Sequence, residues 1–312
     1  MKLITRINRI FNTFHRLTVW KKAMVLLAAA FIIFTVYRES LPKIEGFEQR
    51  EKFVSKEGDE VYDHFYTTIY DVLFTNPIKS KYEIDSIIKK TGVQSSSKVL
   101  EVGSKTGHVI DALSKKNYSA IGIDKSQDMV NTAKKQFEGN DYRVLDPESS
   151  IIFPENYFTH ILALNFMPYT IKDKQIFLQN CYYWLKPGGF LVLHLVNRDR
   201  FDPILSEANP INFVSPQKYA KERITKSTIK FNNFTYKANY EPDNAKDMAY
   251  FNETIVDDKT NKTRKNKHIL YMPTQEKILT KAKNVGFILK HKIDLVHVEY
   301  EYQYLYMLYK PS

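Results

Sequence analysis

The decapeptide VLEVGSKTGH at residues 99–108 decides the fold class of this 312-residue chain. It begins as an apolar strand that ends near the acidic Glu101, and it continues through a turn between Gly103 and Gly107 that leads into a helix. Glycine allows the backbone to approach a ligand closely because it has no side chain in the way. Many α/β proteins contain a strand, a glycine turn and a helix, so this stretch alone predicts an α/β fold with a candidate ligand site.

Segments typical of strands and helices alternate on either side of this stretch. The predicted strands are Lys98–Val102, Ala120–Ile123, Tyr142–Leu145, His160–Leu164 and Phe190–Val196, and the predicted helices are His108–Lys116, Gln127–Phe137 and Asp173–Trp184. This alternation implies right-handed crossovers and a parallel sheet with helices on both faces.

The last forty residues complete the predicted sheet. A helix capped by Thr274 and ended by Gly286 precedes two strands, Leu289–Val296 and Gln303–Lys310. These strands are too close in sequence for a crossover, so we expect an antiparallel hairpin. We therefore predict an α/β, Rossmann-like domain with a seven-stranded, mostly parallel sheet, whose core comprises residues 59–200 and 273–312.

Residues 201–272 interrupt the alternation. Ser227–Tyr240 alternates like a strand, and Ala249–Val256 and His268–Met272 flank a polar turn, which predicts an antiparallel β insertion that covers the substrate site. Basic residues cluster in that predicted turn: Lys259, Lys262, Arg264, Lys265 and Lys267. A solvated hairpin tip is the default interpretation, and contact with anionic lipid headgroups is the alternative.

Two amphipathic helices are predicted before the decapeptide. The first, Asp59–Thr75, is rich in tyrosine. The second is predicted to begin at Ser80, which forms a capping-box pattern with Glu83, and to end near Gly92. Residues 39–58 are charged and are predicted to be a linker.

Most of the net charge of +11 belongs to the N-terminus. Seven basic residues precede the first acidic one, Glu39, so the rest carries only +4 and no nucleic-acid partner is expected. The uncharged run Ala23–Tyr37 rises about 22 Å as a helix, short of a bilayer core of roughly 30 Å. A basic amphipathic pattern precedes it. Residues 1–38 are therefore predicted to be a membrane anchor, either single-pass or in-plane, with a buried core helix as the alternative.

The single cysteine, Cys181, excludes an intrachain disulfide and a cysteine-based zinc site. No metal site is predicted.

Further motifs lie at the ends of the predicted strands. Asp124 ends the second strand, where a carboxylate can accept hydrogen bonds from both hydroxyls of a ribose, and Asp146 follows the third. Together with IGIDKS (121–126), PENYFTHILALNFMPY (154–169) and LKPGGFLVL (185–193), the decapeptide resembles the class I S-adenosylmethionine-dependent methyltransferases, in particular those that act on small molecules.

The resemblance implies S-adenosylmethionine as the cofactor and assigns roles to particular residues. The implied cofactor-binding residues are Glu101, Gly103, Ser104 and Gly107 at the methionine end, Asp124 for the ribose, Lys125, Met129, Leu145 and Asp146 around the adenine, and Asn165 and Phe166 near the sulfonium. The catalytic domain is then expected on a side of the membrane that the cofactor reaches.

Lys105 departs from the family pattern, which usually has glycine at this position. A left-handed backbone there would cost lysine on the order of 1 kcal/mol. Its ammonium would either pair with the carboxylate of the ligand or weaken cofactor binding.

The candidates for a general base are Tyr169, after the fourth strand, and His194, within the fifth. His108 and Arg198 are weaker candidates. A base is needed only if the acceptor arrives protonated.

Three functions remain open from the sequence. The first is a methyltransferase for a small-molecule or lipid amine or hydroxyl. The second is a non-catalytic cofactor-binding scaffold at a membrane, and the third is an NAD-dependent oxidoreductase, which the missing Gly-x-Gly disfavours.

Overall fold

The computed structural model describes residues 17–40, 51–149, 152–204, 217 and 220–312. The chain divides into two compact units, Met1–Glu45 and Gly46–Ser312. The first unit contains helix α1 (Val19–Ser40), which includes the predicted apolar run. Among the described residues, no helix combines the length and the apolar character that a membrane crossing requires. A transmembrane helix is therefore not supported, and the basic segment before residue 17 lies outside the described residues.

The second unit is built on a seven-stranded sheet in the order β11-β12-β6-β5-β2-β3-β4. Its strands are β2 (Lys98–Val102), β3 (Ser119–Asp124), β4 (Asp141–Val144), β5 (Phe158–Ala163), β6 (Leu185–Val196), β11 (Ile288–Asp294) and β12 (Gln303–Tyr309). Strands β2 to β6 pair in parallel, whereas β12 is antiparallel to both β6 and β11. This confirms the predicted seven-stranded sheet with a C-terminal hairpin.

Short helices cover this sheet. They are α2 (His64–Phe74), α3 (Pro77–Thr91), α4 (His108–Ser114), α5 (Gln127–Gln136), α6 (Met167–Thr170), α7 (Lys174–Trp184) and α8 (Gln275–Val285).

Side chains of β6 show that both faces of the sheet are buried. Leu191 and Leu193 pack with Trp184 in one apolar cluster, whereas Val192 packs with Ile84 of α3 in another. Successive strand residues point to opposite faces, so a strand covered on both sides is apolar throughout.

A second, five-stranded sheet has the order β1-β10-β9-β8-β7. Its strands are β1 (Phe53–Glu57), β7 (Lys226–Lys230), β8 (Phe234–Asp243), β9 (Met248–Asp257) and β10 (Thr263–Tyr271). Strands β7 to β10 are antiparallel neighbours, as predicted for the insertion. Strand β1 pairs in parallel with β10, so part of the charged segment predicted as a linker completes this sheet.

Three local predictions were wrong. Residues 227–240 form two strands because the chain turns back between Lys230 and Phe234. Helix α3 begins at Pro77, where the Asn76 side chain accepts hydrogen bonds from two helical N–H groups, and not at Ser80. Arg264 is buried within β10 and does not belong to a solvated hairpin tip.

Candidate active site

The glycine turn after β2 lies where the order of the parallel strands reverses. From β2 the chain runs outward to β3 and β4, and it then returns to β5 on the other side of β2. Ligands of open α/β sheets bind in the crevice at such a point, beyond the carboxyl ends of the strands. The Gly103 and Ser104 N–H groups both donate to the Ile123 carbonyl, which ties the turn to the end of β3.

Two glycines of the turn are required by contacts within the protein. Gly103 has φ +73°, and a Cβ atom there would lie 2.5 Å from Cγ of Met167. Gly107 has φ +92°, and a Cβ atom there would lie 2.6 Å from the Tyr142 hydroxyl, which donates to the Gly107 carbonyl. Gly107 thus permits close packing, as the resemblance implied.

A cavity opens between the turn and the helices α2 and α3. Four predicted cofactor-binding residues line it: Glu101, Gly103, Ser104 and Asn165. Several other residues that were not predicted from the sequence also line it, among them Thr75, Asn76, Lys79 and Thr106. The Asn76-Pro77 pair, a helix-start signal, was the available clue that α3 begins beside this site.

Glu101 is a buried carboxyl with unused hydrogen-bonding capacity. Neither its Oε2 atom nor Ser104 Oγ has a hydrogen-bond partner among the described residues. Burial, reinforced by the charges of Asp124 and Glu83, raises the pKa of Glu101 well above its ordinary value. A cation bound in the cavity would favour the charged carboxylate and satisfy these oxygens.

Asp124 is held at the end of β3 by backbone donors. Its Oδ2 accepts the Lys105 N–H at 3.0 Å, and its Oδ1 accepts the Ser126 N–H at 2.9 Å. The side chain is 5% exposed. The turn therefore orients the carboxylate predicted to hold a ribose.

Lys105 adopts φ +50°, the left-handed conformation considered from the sequence. Its Nζ atom lies 3.8 Å from Asp124 Oδ2 and 3.9 Å from the centroid of the Tyr62 ring. Burial alone would lower the pKa of Lys105, but Asp124 and nearby tyrosines outweigh it and raise the pKa. A charged ammonium thus borders the predicted ribose position.

The residues predicted around an adenine separate into two groups. Lys125 pairs with Asp146 at 3.2 Å, and the Leu145 N–H donates to the Asp124 carbonyl, so these residues form one edge of the site. Met129, in contrast, is completely buried within α5.

The segment after β5 has a strained backbone. Asn165 and Phe166 have φ values of +49° and +64°, a conformation that is uncommon for residues other than glycine. The Asn165 Oδ1 accepts from Lys79 Nζ at 2.7 Å, and Lys79 also pairs with Glu83 at 2.9 Å. Lys79 therefore fixes Asn165 at the cavity wall.

The contacts of the two predicted base candidates do not support a catalytic role. The Tyr169 hydroxyl accepts from the Val196 N–H at 2.8 Å and also contacts the Val196 carbonyl. His194 accepts the Phe166 N–H through Nδ1 and bonds Gln303 through Nε2. Burial lowers the pKa of His194 well below its ordinary value. The polar atoms of both side chains are already hydrogen-bonded to other residues of the core.

The weaker candidates are also engaged. His108 lies at the cavity with Nε2 2.9 Å from Asp71, and Arg198 donates to Asp247 and to the Met272 carbonyl. A different buried pair, Glu253 and His268, lies beside the tyrosines of α2 and was not singled out from the sequence.

The central sheet matches a known sequence family. Residues 100–193 match the family described as "Methyltransferase domain". A ubiquinone biosynthesis O-methyltransferase of Bradyrhizobium diazoefficiens is 30% identical over 135 residues, which are 40% of this chain and 52% of that protein. A phosphoethanolamine N-methyltransferase of Plasmodium falciparum is 28% identical over 160 residues, 50% of this chain and 58% of that protein. The chain thus spans about half the length of these curated relatives.

Solved structures share the fold over a larger part of the chain. An S-adenosylmethionine-dependent methyltransferase from Clostridium acetobutylicum superposes with a TM-score of 0.58 at 15% identity, covering 80% of this chain and 97% of that one. The CcbJ methyltransferase from Streptomyces caelestis gives 0.60 at 12% identity, covering 81% and 98%. At such identities the likeness establishes the fold alone.

The lining of the cavity fits S-adenosylmethionine. The amino group of its methionine part is a cation that can donate hydrogen bonds to the buried oxygens of Glu101 and Ser104. At the end of the next strand, backbone N–H groups orient the Asp124 carboxylate. The family match, the sheet order and this lining agree. Residues 100–193 therefore match a methyltransferase domain, and the lining of the cavity beside them fits S-adenosylmethionine as the methyl donor.

Proposed function

We propose that this protein transfers a methyl group to an amine or a hydroxyl of a small molecule or lipid. The observation that carries the proposal is the cavity in which Glu101, Ser104 and Asn165 converge beside Asp124. The two relatives named above support small-molecule acceptors, and their names divide between oxygen and nitrogen as the methylated atom. An experiment must therefore identify which atom of the acceptor is methylated.

The residues of this site act mainly by binding and orienting the donor and the acceptor, and not by reacting with them. Bound S-adenosylmethionine supplies an electrophilic methyl group, and catalysis consists mainly of holding the acceptor close and in line with it. Glu101 and Asp124 would fix the two ends of the donor. Tyr70 and Phe74 of α2 line the same cavity and would exclude water from it.

Calorimetry and an acceptor screen test this function. The full chain is titrated with S-adenosylmethionine and with NAD, and it is then incubated with methyl-deuterated donor and phosphoethanolamine, ethanolamine or catechol. We expect donor binding, no NAD binding and a deuterated-methyl mass shift on one class of acceptor. Donor binding without transfer to any acceptor would favour a non-catalytic scaffold, and NAD binding would favour an oxidoreductase.

We further propose that α1 attaches the protein to a membrane surface as an in-plane helix, with the catalytic domain on a side that the donor reaches. Its apolar side chains are exposed, among them Trp20 at 83%, Leu27 at 74% and Phe31 at 67%. Basic residues of the N-terminal sequence would add attraction to anionic lipids.

Vesicle sedimentation tests this attachment. We expect the full chain to sediment with vesicles that contain anionic lipid, and more weakly with neutral vesicles at high salt. Leu27→Glu should reduce sedimentation strongly, because it places a charge in the apolar helix, whereas Ile176→Glu on the exposed side of α7 should not. Equal sedimentation of both variants would contradict the proposal.

A further inference from the structure

Glu253 is a buried carboxylate at the centre of the second sheet. It lies on β9 opposite Asn266 of β10 and is 1% exposed. Its Oε1 accepts the hydroxyls of Tyr66 at 2.8 Å and Tyr236 at 2.6 Å. Its Oε2 lies 2.9 Å from Asn266 Nδ2 and 2.8 Å from His268 Nε2. Four groups from three elements, α2, β8 and β10, therefore direct their protons to one carboxylate.

The charge of Glu253 determines which nitrogen of His268 carries a proton. Burial alone would raise the pKa of Glu253, but His268 and the hydrogen bonds to the carboxylate outweigh it and lower the pKa. A charged carboxylate only accepts, so Nε2 of His268 must hold a proton. In the neutral ring, Nδ1 then carries the lone pair. No described residue donates a hydrogen bond to Nδ1.

His268 lies beside the helix that borders the cofactor cavity. Its ring centroid is 5.5 Å from that of Tyr62, 5.6 Å from Tyr66 and 5.8 Å from Phe251. The Lys105 ammonium of the cofactor turn lies over the same Tyr62 ring. Strand β10 also packs against α6, which directly follows the strained segment after β5. A single aromatic ring, that of Tyr62, thus separates the imidazole from the Lys105 ammonium of the cofactor turn.

Packing alone gives no reason for a charge at this position. A buried ion pair is often no more stabilising than apolar residues of the same volume, because both charges lose their hydration. Ile255, two residues along the same face of β9, is fully buried and shows that this face accepts apolar side chains. An oriented imidazole backed by a carboxylate is, in contrast, the standard arrangement of a proton-accepting base.

We propose that His268, oriented by Glu253, is the general base that removes the proton of the acceptor during methyl transfer. This inference rests on the proposed function. The lone pair of the acceptor forms the bond to the methyl carbon, and the electron pair of the broken S–C bond stays on sulfur. The proton of the acceptor moves to Nδ1 of His268. The substrate class that needs such a base is an ammonium or a hydroxyl, both of which arrive protonated.

Several charged or titratable groups surround the imidazole and will shape its pH dependence. Glu253 faces it from β9, Tyr236 from β8, Tyr66 from α2, and Tyr62 from the segment just before α2. On its own strand, Arg264 is linked to the same network through Asn266. A base must be unprotonated to accept a proton, so we expect an acidic limb in the pH profile of turnover.

His268→Gln tests the proposal on the full chain. The glutamine amide can still donate to Glu253, but it has no nitrogen that accepts a proton. We expect turnover of the methylated acceptor to fall at least 100-fold, the acidic limb to disappear, and the Kd of S-adenosylmethionine to stay within threefold. The matched control is His160→Gln, a buried histidine on β5 bonded to Thr159 and to the Thr91 carbonyl, which should keep turnover within threefold.

Nitrogen-15 NMR of the wild-type imidazoles keeps the test decisive if the variant does not fold or if no acceptor is methylated. We expect neutral His268 to be the Nε2–H tautomer in the wild type, and Glu253→Gln to weaken this tautomer preference. A wild-type Nδ1–H tautomer would overturn the inference, as would turnover of His268→Gln within threefold of wild type. Failure of the wild type to methylate any acceptor would count against the proposed function, whereas methylation by the wild type with near-normal turnover of His268→Gln would count against the role of His268 alone.

Discussion

Replacing Asp124 by alanine should weaken both the fold and cofactor binding, and the structure separates the two effects. The carboxylate is nearly buried and accepts the N–H groups of Lys105 and Ser126. Each buried donor left without a partner costs about 1–3 kcal/mol. For the two donors we therefore expect the free energy of unfolding without cofactor to fall by about 2–6 kcal/mol.

Cofactor affinity should fall further in the same variant. If the carboxylate also accepts two ribose hydroxyls, each lost charge-assisted bond costs up to about 1.5–3 kcal/mol. Asp124→Asn keeps one acceptor oxygen, so we expect roughly half of each loss. Urea denaturation measures the first quantity, and calorimetry with S-adenosylmethionine on the folded fraction measures the second.

Asp141→Asn is the matched control for this experiment. Asp141 begins the neighbouring strand β4 and pairs with Arg143, and both side chains are more than 40% exposed. A surface pair of this kind contributes about 0–1 kcal/mol. Unchanged stability and unchanged affinity in Asp124→Ala would refute the role given to this residue.

Three further substitutions test other parts of the structure. Gly103→Ala should destabilise the protein by about 2–5 kcal/mol, because it combines a positive φ with a clash against Met167, whereas Gly92→Ala, with open space around it, should cost about 1 kcal/mol in urea denaturation. Burial lowers the pKa of Lys174 to about 7, so the folded state binds fewer protons than the unfolded state above that pH. Stability should therefore rise from pH 7 towards 10, and Lys174→Met should abolish this slope in thermal denaturation. Arg264→Met should lower the free energy of unfolding by about 3–5 kcal/mol, since it leaves buried polar partners unpaired; a loss below 0.5 kcal/mol would contradict that reading.

The sequence determined the central sheet because its signals are local. Apolar runs followed by Glu101, Asp124 and Asp146 placed three strand ends, and parallel strands with crossovers bring such ends to one edge. The left-handed conformation of Lys105, which the sequence analysis considered because the family usually has glycine there, lies within the same decapeptide. The match of residues 100–193 to the methyltransferase domain includes two of these strand ends and Asp146.

Hydrogen-bond partners far apart in sequence were decided only by the tertiary structure. Tyr169 and His194 lay at plausible positions for a base, but Val196 and Gln303 occupy their polar atoms. No local sequence pattern predicts such a partner, because the partner residue lies elsewhere in the sequence.

The second sheet shows the same limit more clearly. Strand alternation predicted its antiparallel strands, but the pairing of Glu253 with Asn266 depends on register, which is set where two strands meet. Contact with Tyr66 depends on how the sheet packs against α2, across 187 residues of sequence. The sequence by itself therefore determined the fold and the donor-binding edge, whereas only the tertiary structure assembled Glu253 and His268, since burial and long-range contact create that pair.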